Sequence, residues 1–274
     1  MTVAEAIRDA AQRLGATSGA ARLDAELLMA HALGTSRSDM LLRAMRDVGP
    51  EEFAALVARR AAHEPVAYIT GWTEFYGRRF DVEPGVLIPR GDSEVLIDTA
   101  LDLCPAPERL LDLGTGSGAL LVTMLLECAG ATGIGLDASS TAVSVAAANA
   151  QALGLIGAKA RFVERDWRRP AWSHDLGKFD LILCNPPYVE EDAPLDPDVR
   201  DFEPAEALFA GKDGLEDYRI LIPQMGSLLA DGGIAVFEIG HAQAEAVSEI
   251  ARNHGFTVDL RKDLANRPRC VVLR

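Results

Sequence analysis

Three glycines placed directly after an apolar segment constrain the fold of this chain more than any other feature. Residues 109–113 carry three leucines and predict a strand. Gly114, Gly116 and Gly118 follow in a G-x-G-x-G spacing, and residues 119–128 then show a helical pattern. A strand that continues through glycines into a helix is typical of α/β proteins whose backbone closely approaches a bound ligand.

The glycine spacing differs from the G-x-G-x-x-G fingerprint of dinucleotide-binding proteins. The last glycine falls one residue too early to seat a pyrophosphate in the usual way. A second predicted strand, residues 133–137, ends in Asp137, where a carboxylate can accept hydrogen bonds from both hydroxyls of a ribose. These features predict a pocket for an adenosine without a pyrophosphate. An NAD-dependent dehydrogenase is the alternative, and it leaves the glycine spacing unexplained.

A second motif follows another apolar segment. Residues 179–184 predict a buried parallel strand, and Asn185, Pro186, Pro187 and Tyr188, hereafter the tetrad, come directly after it. Two prolines remove two backbone N–H donors, so the loop presents carbonyl oxygens and the Asn185 side chain. Tyr188 adds a flat face that can stack on a planar group. The tetrad therefore predicts a clamp for a planar, amino-bearing group, although a structural turn would also account for it.

Length and composition limit the classes of protein that this chain can belong to. With 274 residues and 49% hydrophobic residues, it can form one large domain and one small domain. Charged residues occupy the amino terminus, where a secretory signal would be apolar, and no uncharged stretch has the length of a membrane helix, so we expect a cytoplasmic protein without membrane contact. Without C-x-x-C or H-E-x-x-H motifs, neither a disulfide framework nor a metal site is expected. Cys184 is expected to be a small buried hydrophobe.

The charge of the chain disfavours nucleic acid as a direct partner. The formal net charge is −14, whereas nucleic-acid binders neutralise phosphates with a basic surface. Residues 190–206 contain eight acidic side chains and one arginine, Arg200, which gives this loop a net charge of −7. The loop would repel phosphates, although an ordinary solvated loop also explains the charges.

Before residue 65 the apolar residues recur at helical spacing, which predicts a small bundle because the helices are too short to be stable alone. The apolar positions that predict them are Val3, Ile7 and Leu14 before Gly15; Leu23, Leu27 and Ala30 before Gly34; and Phe53, Leu56 and Val57 between Pro50 and Pro65. We expect this helical domain to span residues 1–73.

Residues 74–94 predict a β-hairpin linker with its turn at Pro84 and Gly85. From about residue 95 to residue 274, strands and helices alternate, which indicates a doubly wound α/β sheet. The later strands are predicted at residues 161–166, 179–185, 233–239, 256–264 and 270–274. Only a short polar turn separates the last two, so the sheet should end in an antiparallel hairpin.

Several motifs distributed over nearly the whole chain resemble the HemK/PrmC family of peptide chain release factor glutamine methyltransferases. They are Arg22-Leu-Asp-Ala-Glu-Leu-Leu, Glu64-Pro-Val-Ala-Tyr-Ile-Thr-Gly71, Glu74-Phe-Tyr-Gly77, Val86-Leu-Ile-Pro-Arg90, the tetrad, Glu203-Pro204 and Gly211-Lys-Asp-Gly-Leu215. The resemblance implies a Rossmann-like, class I fold with a small helical docking domain. It also implies transfer of a methyl group from S-adenosylmethionine to the side-chain amide nitrogen of the glutamine in a Gly-Gly-Gln loop of release factors.

The resemblance also implies roles for individual residues. The cofactor site would comprise Gly114, Thr115, Gly116, Ser117, Gly118, Asp137, Trp167 and Asn185. The catalytic and substrate-binding residues would be Asn185, Pro186, Pro187 and Tyr188. Asn185 would accept one substrate amide N–H through its side chain, and Pro186 would accept the other through its carbonyl. Asp137 would bind the ribose and Trp167 would lie beside the adenine, although from sequence alone Trp167 can equally be a core aromatic.

Three departures from the family pattern and three alternatives remain open. Gly91 and Ser93 stand where the family usually has Pro and Thr, and Arg165 stands where it usually has Gly, which would place a bulky charge beside the adenine edge. The substrate could instead be a ribosomal-protein glutamine or an exocyclic amino group of nucleic acid. A non-catalytic scaffold is the third alternative. The acidic charge disfavours the nucleic-acid substrate, and the intact motifs disfavour the scaffold. We expect a monomer.

Overall fold

The computed structural model describes residues 1–155 and 157–274. Backbone contacts divide the chain into two compact units. The helical unit comprises Met1–Trp72 and Leu195–Phe202, and the sheet unit comprises Thr73–Pro194 and Glu203–Arg274. Within the described residues, no helix has both the length and the apolar character needed to cross a membrane.

The helices and strands are numbered in chain order. The helices are α1 (Val3–Leu14), α2 (Ala21–Ala32), α3 (Arg37–Asp39), α4 (Phe53–Ala61), α5 (Val66–Thr70), α6 (Glu94–Leu103), α7 (Ala119–Glu127), α8 (Ser140–Ala152), α9 (Pro197–Arg200), α10 (Glu216–Leu221), α11 (Met225–Leu228) and α12 (Ala244–Asn253). The strands are β1 (Trp72–Phe75), β2 (Arg78–Asp81), β3 (Arg109–Leu113), β4 (Thr132–Asp137), β5 (Ala160–Glu164), β6 (Phe179–Cys184), β7 (Leu229–Glu238), β8 (Val258–Lys262) and β9 (Pro268–Leu273).

Helix α1 forms where the sequence predicts it. Thr2 and Glu5 form a capping box, in which each side chain accepts a hydrogen bond from the backbone N–H of the other residue. Val3, Ile7 and Leu14 are buried on one face of the helix and belong to the core of the helical unit. The predicted apolar face of α1 is therefore confirmed.

The predicted apolar face of α2 is confirmed only at Ala30, which is buried. Leu23 is exposed and Leu27 is only partly buried, whereas Leu28 is completely buried. The same helix buries the carboxylates of Asp24 and Glu26, each of which forms an ion pair with arginine. Because paired acidic residues occupy inward positions, the apolar pattern alone gives the wrong rotation of the helix.

Arg60 on α4 connects two parts of the helical unit. Its guanidinium is nearly buried, with Nε 2.7 Å from Asp24 Oδ2 and one terminal nitrogen 3.5 Å from Asp198 Oδ2. Asp198 lies on α9, in the segment Leu195–Phe202 that follows the tetrad in the sequence. The helical unit therefore includes a piece of chain that the sequence pattern assigned to the catalytic domain.

The sheet unit is built on seven strands in the order β5-β4-β3-β6-β7-β9-β8. Strands β3 to β7 pair in parallel, whereas β9 is antiparallel to both β7 and β8. The predicted antiparallel hairpin at the end of the sheet is confirmed. Leu111 and Leu113 of β3 face one hydrophobic core and Leu110 faces the other, so both faces of the sheet are covered.

The strand order reverses between β3 and β6. Leu113 of β3 pairs with Cys184 of β6, so Gly114 and Asn185 are the next residues on adjacent strands. Loops that follow parallel strands at such a reversal enclose a crevice at the carboxyl edge of the sheet, where open α/β folds bind ligands. The glycine loop, residues 114–118, and the tetrad therefore meet at this position.

The hairpin that follows the helical unit turns earlier than predicted. Its strands β1 and β2 are joined at Tyr76 and Gly77, which both have positive φ, at +52° and +68°. The predicted turn at Pro84 and Gly85 lies in the loop after β2. Tyrosine rarely adopts a positive φ, so a turn at this position is not evident from the sequence pattern.

The later strand boundaries also differ from the predicted ones. Strand β7 begins at Leu229, four residues before the predicted start, because Leu229 pairs with Phe179 ahead of a register irregularity in the ladder. The glycines at positions 232 and 233 lie within the strand. Strand β9 likewise begins at Pro268 rather than residue 270.

Candidate active site

A cavity of about 530 Å³ lies at the carboxyl edge of β3, β4 and β6, within the sheet unit. This volume is in the range of small-molecule binding sites. The predicted site residues that line it are Gly114, Thr115, Gly116, Ser117, Asp137, Trp167, Asn185 and Pro187. The other predicted residues, Gly118, Pro186 and Tyr188, are not part of its lining.

The glycine loop is fixed by backbone hydrogen bonds. The N–H groups of Gly114 and Thr115 both donate to the carbonyl oxygen of Leu136, at 2.9 and 2.8 Å. Gly114 and Gly116 have positive φ, at +74° and +54°, which favours glycine. A Cβ on Gly114 would lie 3.2 Å from the indole of Trp167, whereas a Cβ on Gly116 would meet no atom within 4 Å. The space beside Gly116 is therefore open to a ligand.

Gly118 has a packing function. Its φ is +83°, and a Cβ there would lie 3.1 Å from the Cβ of Ala146 on α8. The glycine allows the first turn of α7 to approach α8 closely. In this loop, the third glycine thus serves the contact between two helices, whereas in the dinucleotide fingerprint it serves the packing of the helix against the strand.

Asp137 combines burial with two local hydrogen bonds. Its Oδ2 accepts the N–H of Gly116 at 2.9 Å, and its Oδ1 accepts the N–H of Ser139 at 2.9 Å. Burial raises the pKa of the carboxyl, while the backbone N–H groups of Ser139, Gly116 and Ala138 lower it. Each oxygen retains a lone pair, so the carboxylate can accept further hydrogen bonds from hydroxyls in the cavity.

Trp167 is held by a buried carboxylate that the sequence analysis missed. Its Nε1 donates to Asp217 Oδ1 at 2.7 Å, and the guanidinium of Arg168 donates to Asp217 Oδ2 at 2.8 Å. Asp217 is fully buried on α10, and burial raises its pKa against the lowering effects of Trp167 and Arg168. Trp167 and Arg168 both line the cavity. Asp217 follows the Gly211–Leu215 motif, but nothing in its local pattern marks it as a partner of Trp167.

Arg165 was expected beside the cavity, but the structure places it elsewhere. Its guanidinium donates to the carbonyl oxygen of Trp172 at 2.7 Å and forms an ion pair with Asp175 at 2.5 Å. It is absent from the residues that line the cavity. The expectation that Arg165 would crowd the adenine edge is therefore wrong, because local acceptors direct its side chain elsewhere.

The tetrad is fixed through its side chains. Asn185 Nδ2 donates to Ser93 Oγ at 3.3 Å, and the Tyr188 hydroxyl donates to Glu238 Oε1 at 3.3 Å. Pro186 and Pro187 are buried. Burial raises the pKa of Tyr188 far above its usual range, so the phenol stays neutral. Because Asn185 uses its NH2 end for Ser93, its Oδ1 remains the acceptor end of the amide.

Asn149 is a further residue that sequence reasoning missed. This buried side chain on α8 donates to the carbonyl oxygens of Ser117 and Asp81 at 2.8 and 2.9 Å, and it accepts the Asp81 N–H at 2.8 Å. It therefore joins the glycine loop to the end of β2. An asparagine in the middle of an alanine-rich helix is the only signal for this role in the sequence.

Ion pairs reduce the negative charge of the loop at residues 190–206. Glu203 is nearly buried and pairs with Arg90, which lines the cavity. Asp198 pairs with Arg60, and Asp201 pairs with Arg200. Arginines outside the loop thus neutralise two of the eight acidic residues, and Arg200 is already counted in the net charge of −7, so the loop repels phosphates less than the sequence alone suggests.

Cys184 is completely buried, and burial raises the pKa of its thiol well above the usual range. The thiol is therefore protonated and inert, which confirms its interpretation as a small buried hydrophobe. Among the described residues, no group of three or more His, Cys, Asp or Glu side chains is arranged to hold a metal ion.

Comparison with known proteins assigns the class of the sheet unit. Residues 106–260 match a family model described as a methyltransferase domain. A crystal structure of a methyltransferase from Pyrococcus furiosus has the same fold, with a TM-score of 0.55 and 17% identity over 72% of this chain and 89% of that chain. Together with the sheet order and the cavity at its reversal point, these matches define a class I methyltransferase.

The helical unit and the full-length relatives identify the family. Residues 5–71 match a family model described as the PrmC N-terminal domain. The release factor glutamine methyltransferase of Rhodospirillum rubrum is 42% identical over 92% of this chain and 78% of that protein. That of Agrobacterium fabrum is 39% identical over 100% of this chain and 97% of that protein. The chain therefore belongs to the release factor glutamine methyltransferase family, and the family resemblance based on its motifs is confirmed.

Proposed function

We propose that the protein transfers a methyl group from S-adenosylmethionine to the side-chain amide nitrogen of the glutamine in the Gly-Gly-Gln loop of peptide chain release factors. One observation carries the proposal: the glycine loop and Asn185 line the same cavity at adjacent strand ends. A cofactor site and an amide-accepting side chain are thereby next to each other. The names of the relatives support a release factor as the substrate.

The cavity fits S-adenosylmethionine, which supplies an electrophilic methyl group when bound. Gly116 leaves open space where a side chain would otherwise stand. Asp137 offers a carboxylate to the ribose hydroxyls, and Trp167 offers a flat indole to the adenine. Gly114 and Thr115 would face the amino-acid part of the cofactor. An adenosine-containing cofactor without a pyrophosphate is sufficient to account for the arrangement of these residues.

The tetrad would activate the glutamine amide by accepting both of its hydrogens. An amide nitrogen is a poor nucleophile because its lone pair is delocalised into the carbonyl group. Asn185 Oδ1 would accept one N–H, and the carbonyl oxygen of Pro186 would accept the other. Acceptors in these positions favour a pyramidal nitrogen and stabilise the positive charge that develops there during methyl transfer. Tyr188 would pack near the substrate plane.

Orientation of the glutamine amide relative to the methyl group would be a second contribution to catalysis. When two reacting groups are held in line, about 7–11 kcal/mol of a bimolecular barrier can be removed. Buried Pro186 and Pro187 lack backbone N–H groups and restrict the backbone, so the acceptors keep their positions without competing donors. Catalysis then requires no covalent enzyme intermediate, and the amide proton can leave to water after transfer.

We further propose that residues 1–73 dock the release factor, residues 74–94 link the domains, and residues 95–274 perform catalysis. The match of residues 5–71 to the PrmC N-terminal domain supports the first of these assignments. We also propose that the enzyme is monomeric and cytoplasmic. It would require no metal and would not bind nucleic acid directly.

The proposed function is tested by methyl transfer with radiolabelled S-adenosylmethionine. The substrates are a purified release factor and a variant of it in which alanine replaces the Gly-Gly-Gln glutamine. We expect label on the unmodified factor alone, and mass spectrometry of the digested product should locate one added methyl group on that glutamine. Ribosomal proteins and RNA from the same cell serve as competing substrates. Label on either of them, and none on the release factor, would contradict the proposal.

A further inference from the structure

Glu238 is a buried carboxyl group for which the proposed mechanism has no role. It is the last residue of β7, and its side chain is fully buried. Strand β7 pairs with β6, and Phe237 lies opposite Cys184. Glu238 is therefore next to the position where the tetrad begins. One of its oxygens, Oε2, is buried without a hydrogen-bond partner. A buried carboxyl is costly unless it has a function or compensating partners.

Two members of the site contact this carboxyl. The hydroxyl of Tyr188 donates to Glu238 Oε1 at 3.3 Å. Ser93 lies close enough to the carboxyl to lower its pKa, and the Ser93 Oγ accepts a hydrogen bond from Asn185 Nδ2 at 3.3 Å. Glu238 therefore connects both polar side chains of the tetrad, Tyr188 directly and Asn185 through Ser93.

The direction of these hydrogen bonds is determined by the charge on Glu238. An ionised carboxylate only accepts, so it attracts the single hydroxyl proton of the nearby Ser93. The lone pairs of Ser93 then face Asn185 and can only be satisfied by its NH2 end. As a result, the carbonyl end of the Asn185 amide is the one left for a substrate. A neutral group at position 238 that donates to Ser93 would allow the opposite direction, with Ser93 donating to Asn185 Oδ1.

We propose that Glu238 is a positioning residue for the tetrad: its buried carboxylate sets the direction of the Ser93 hydroxyl, and thereby determines which end of the Asn185 amide is offered to the substrate. This proposal deepens the proposed function and rests on Asn185 as the acceptor of the substrate N–H. Glu238 acts through Ser93 and Tyr188 and need not touch the substrate.

The surroundings make the charge of Glu238 sensitive to pH. The charged and titratable groups that face it are Arg269, Cys270, Asp92, Tyr188, Tyr218 and Cys184. Burial raises the pKa of Glu238 to about 7, with Asp92 adding to this, while Ser93, Arg269 and Tyr188 lower it. The carboxyl is therefore ionised above neutral pH, and below neutral pH it is protonated and able to reverse the direction of the hydrogen bonds.

Nuclear magnetic resonance of the full chain tests this role without any substrate. The protein is labelled with 15N-asparagine, and the Asn185 side-chain signal is identified by its loss in Asn185→Ala. We expect this signal to titrate with a midpoint near 7 in the wild type. The titration should disappear in Glu238→Gln and persist in Glu249→Gln, a control at an exposed glutamate on α12. An Asn185 signal that titrates alike in wild type and Glu238→Gln, or in neither, would overturn the proposal.

Kinetics provide the second measurement. In Glu238→Gln we expect kcat for the release factor to fall about 10- to 100-fold, since small misplacements of reacting groups have effects of this size. The affinity for S-adenosylhomocysteine should be unchanged. Ser93→Ala should also lower kcat, and Ser93→Thr, which keeps the hydroxyl, should restore part of the loss. This Ser93 pair decides the question if Glu238→Gln does not fold. An equal kcat in wild type, Ser93→Ala and Ser93→Thr would then overturn the proposal.

The two measurements separate this inference from the proposed function. If the wild type methylates no release factor, the proposed function fails, and the titration of the Asn185 signal still decides whether Glu238 positions the amide. If methylation occurs and the Asn185 signal is indifferent to Glu238, the positioning role fails and the proposed function stands.

Discussion

The glycine loop and the tetrad face the same cavity, yet they are held in place differently. The glycine loop is fixed mainly by its own backbone, through the N–H groups that donate to Leu136 and Asp137, and one side chain from outside the loop, Asn149, adds a hydrogen bond to Ser117. The tetrad is fixed by side chains that reach Ser93 and Glu238, which are 92 and 50 residues away in the sequence from their partners. The first arrangement depends on distant residues less than the second does. Cofactor binding should therefore be robust to remote substitutions, and amide recognition should be sensitive to them.

The strongest test of this comparison removes the acceptor of the tetrad. We expect Asn185→Ala to lower kcat about 100- to 1,000-fold, because it deletes a group that would stabilise charge in the transition state. S-Adenosylhomocysteine affinity, measured by calorimetry, should change much less. Asn253→Ala, at an exposed helix end, is the matched control. Full turnover in Asn185→Ala would show that the tetrad does not activate the amide.

The corresponding test of the other loop is Asp137→Ala. Loss of hydrogen bonds to a charged group should weaken S-adenosylmethionine binding by about 1.5–3 kcal/mol. The variant also leaves the N–H groups of Gly116 and Ser139 without their acceptor. We expect KM for S-adenosylmethionine to rise and KM for the release factor to stay constant. If only KM for the release factor rose, Asp137 would belong to the substrate site instead.

The third test uses pH to separate stability from function at Glu238. Because folding raises its pKa to about 7, the folded state holds the proton more tightly than the unfolded state, and wild-type stability falls as pH rises from about 4.5 towards 7. Glu238→Gln removes this dependence. Between pH 5 and pH 8 the stability of the variant should therefore improve relative to wild type by about 2 kcal/mol, measured by urea unfolding. A constant difference across this range would show that the carboxyl does not titrate on folding.

The smallest effect is expected at Gly91, between the cavity residue Arg90 and Ser93. The backbone of Arg90 is extended, at φ −99° and ψ 139°, which is compatible with a following proline. A Cβ on Gly91 would meet no atom within 4 Å. Gly91→Pro should therefore raise stability by about 0.4–1 kcal/mol by restricting the unfolded chain, visible as a higher Tm. Lower stability would indicate that the turn needs a backbone that proline cannot adopt.

The difference between the two loops also explains how much of the site could be predicted from sequence. The glycine spacing and Asp137 lie within one strand-loop-helix unit and the strand that follows it, so local pattern was sufficient to predict the loop. The final antiparallel hairpin followed from the same local rules, whereas the order of the strands in the sheet was not predicted. Ser93 was visible only as a departure from the family pattern.

The residues that could not be predicted from the sequence share a physical feature. Asp217 and Glu238 are buried carboxyls, and Asp24 and Glu26 lie on the inner face of α2. A buried carboxyl is stable only when its partners are close in space, and for Glu238 and Asp217 these partners lie far away in sequence. Hydropathy patterns place carboxyl groups on the surface. The buried residues that bind the side chains of Trp167, Asn185 and Tyr188 could therefore not be inferred from the sequence.

The excursion of residues 195–202 into the helical unit has a consequence for how this enzyme can change over time. The chain enters that unit twice, once at its start and once between the tetrad and the Glu203–Arg90 ion pair. A gene fusion that exchanged only the first 72 codons would supply a foreign bundle without the Arg60 partner of Asp198. Recombination at a single boundary should therefore rarely yield a working chimera. We therefore expect the two units to evolve together rather than to be exchanged separately.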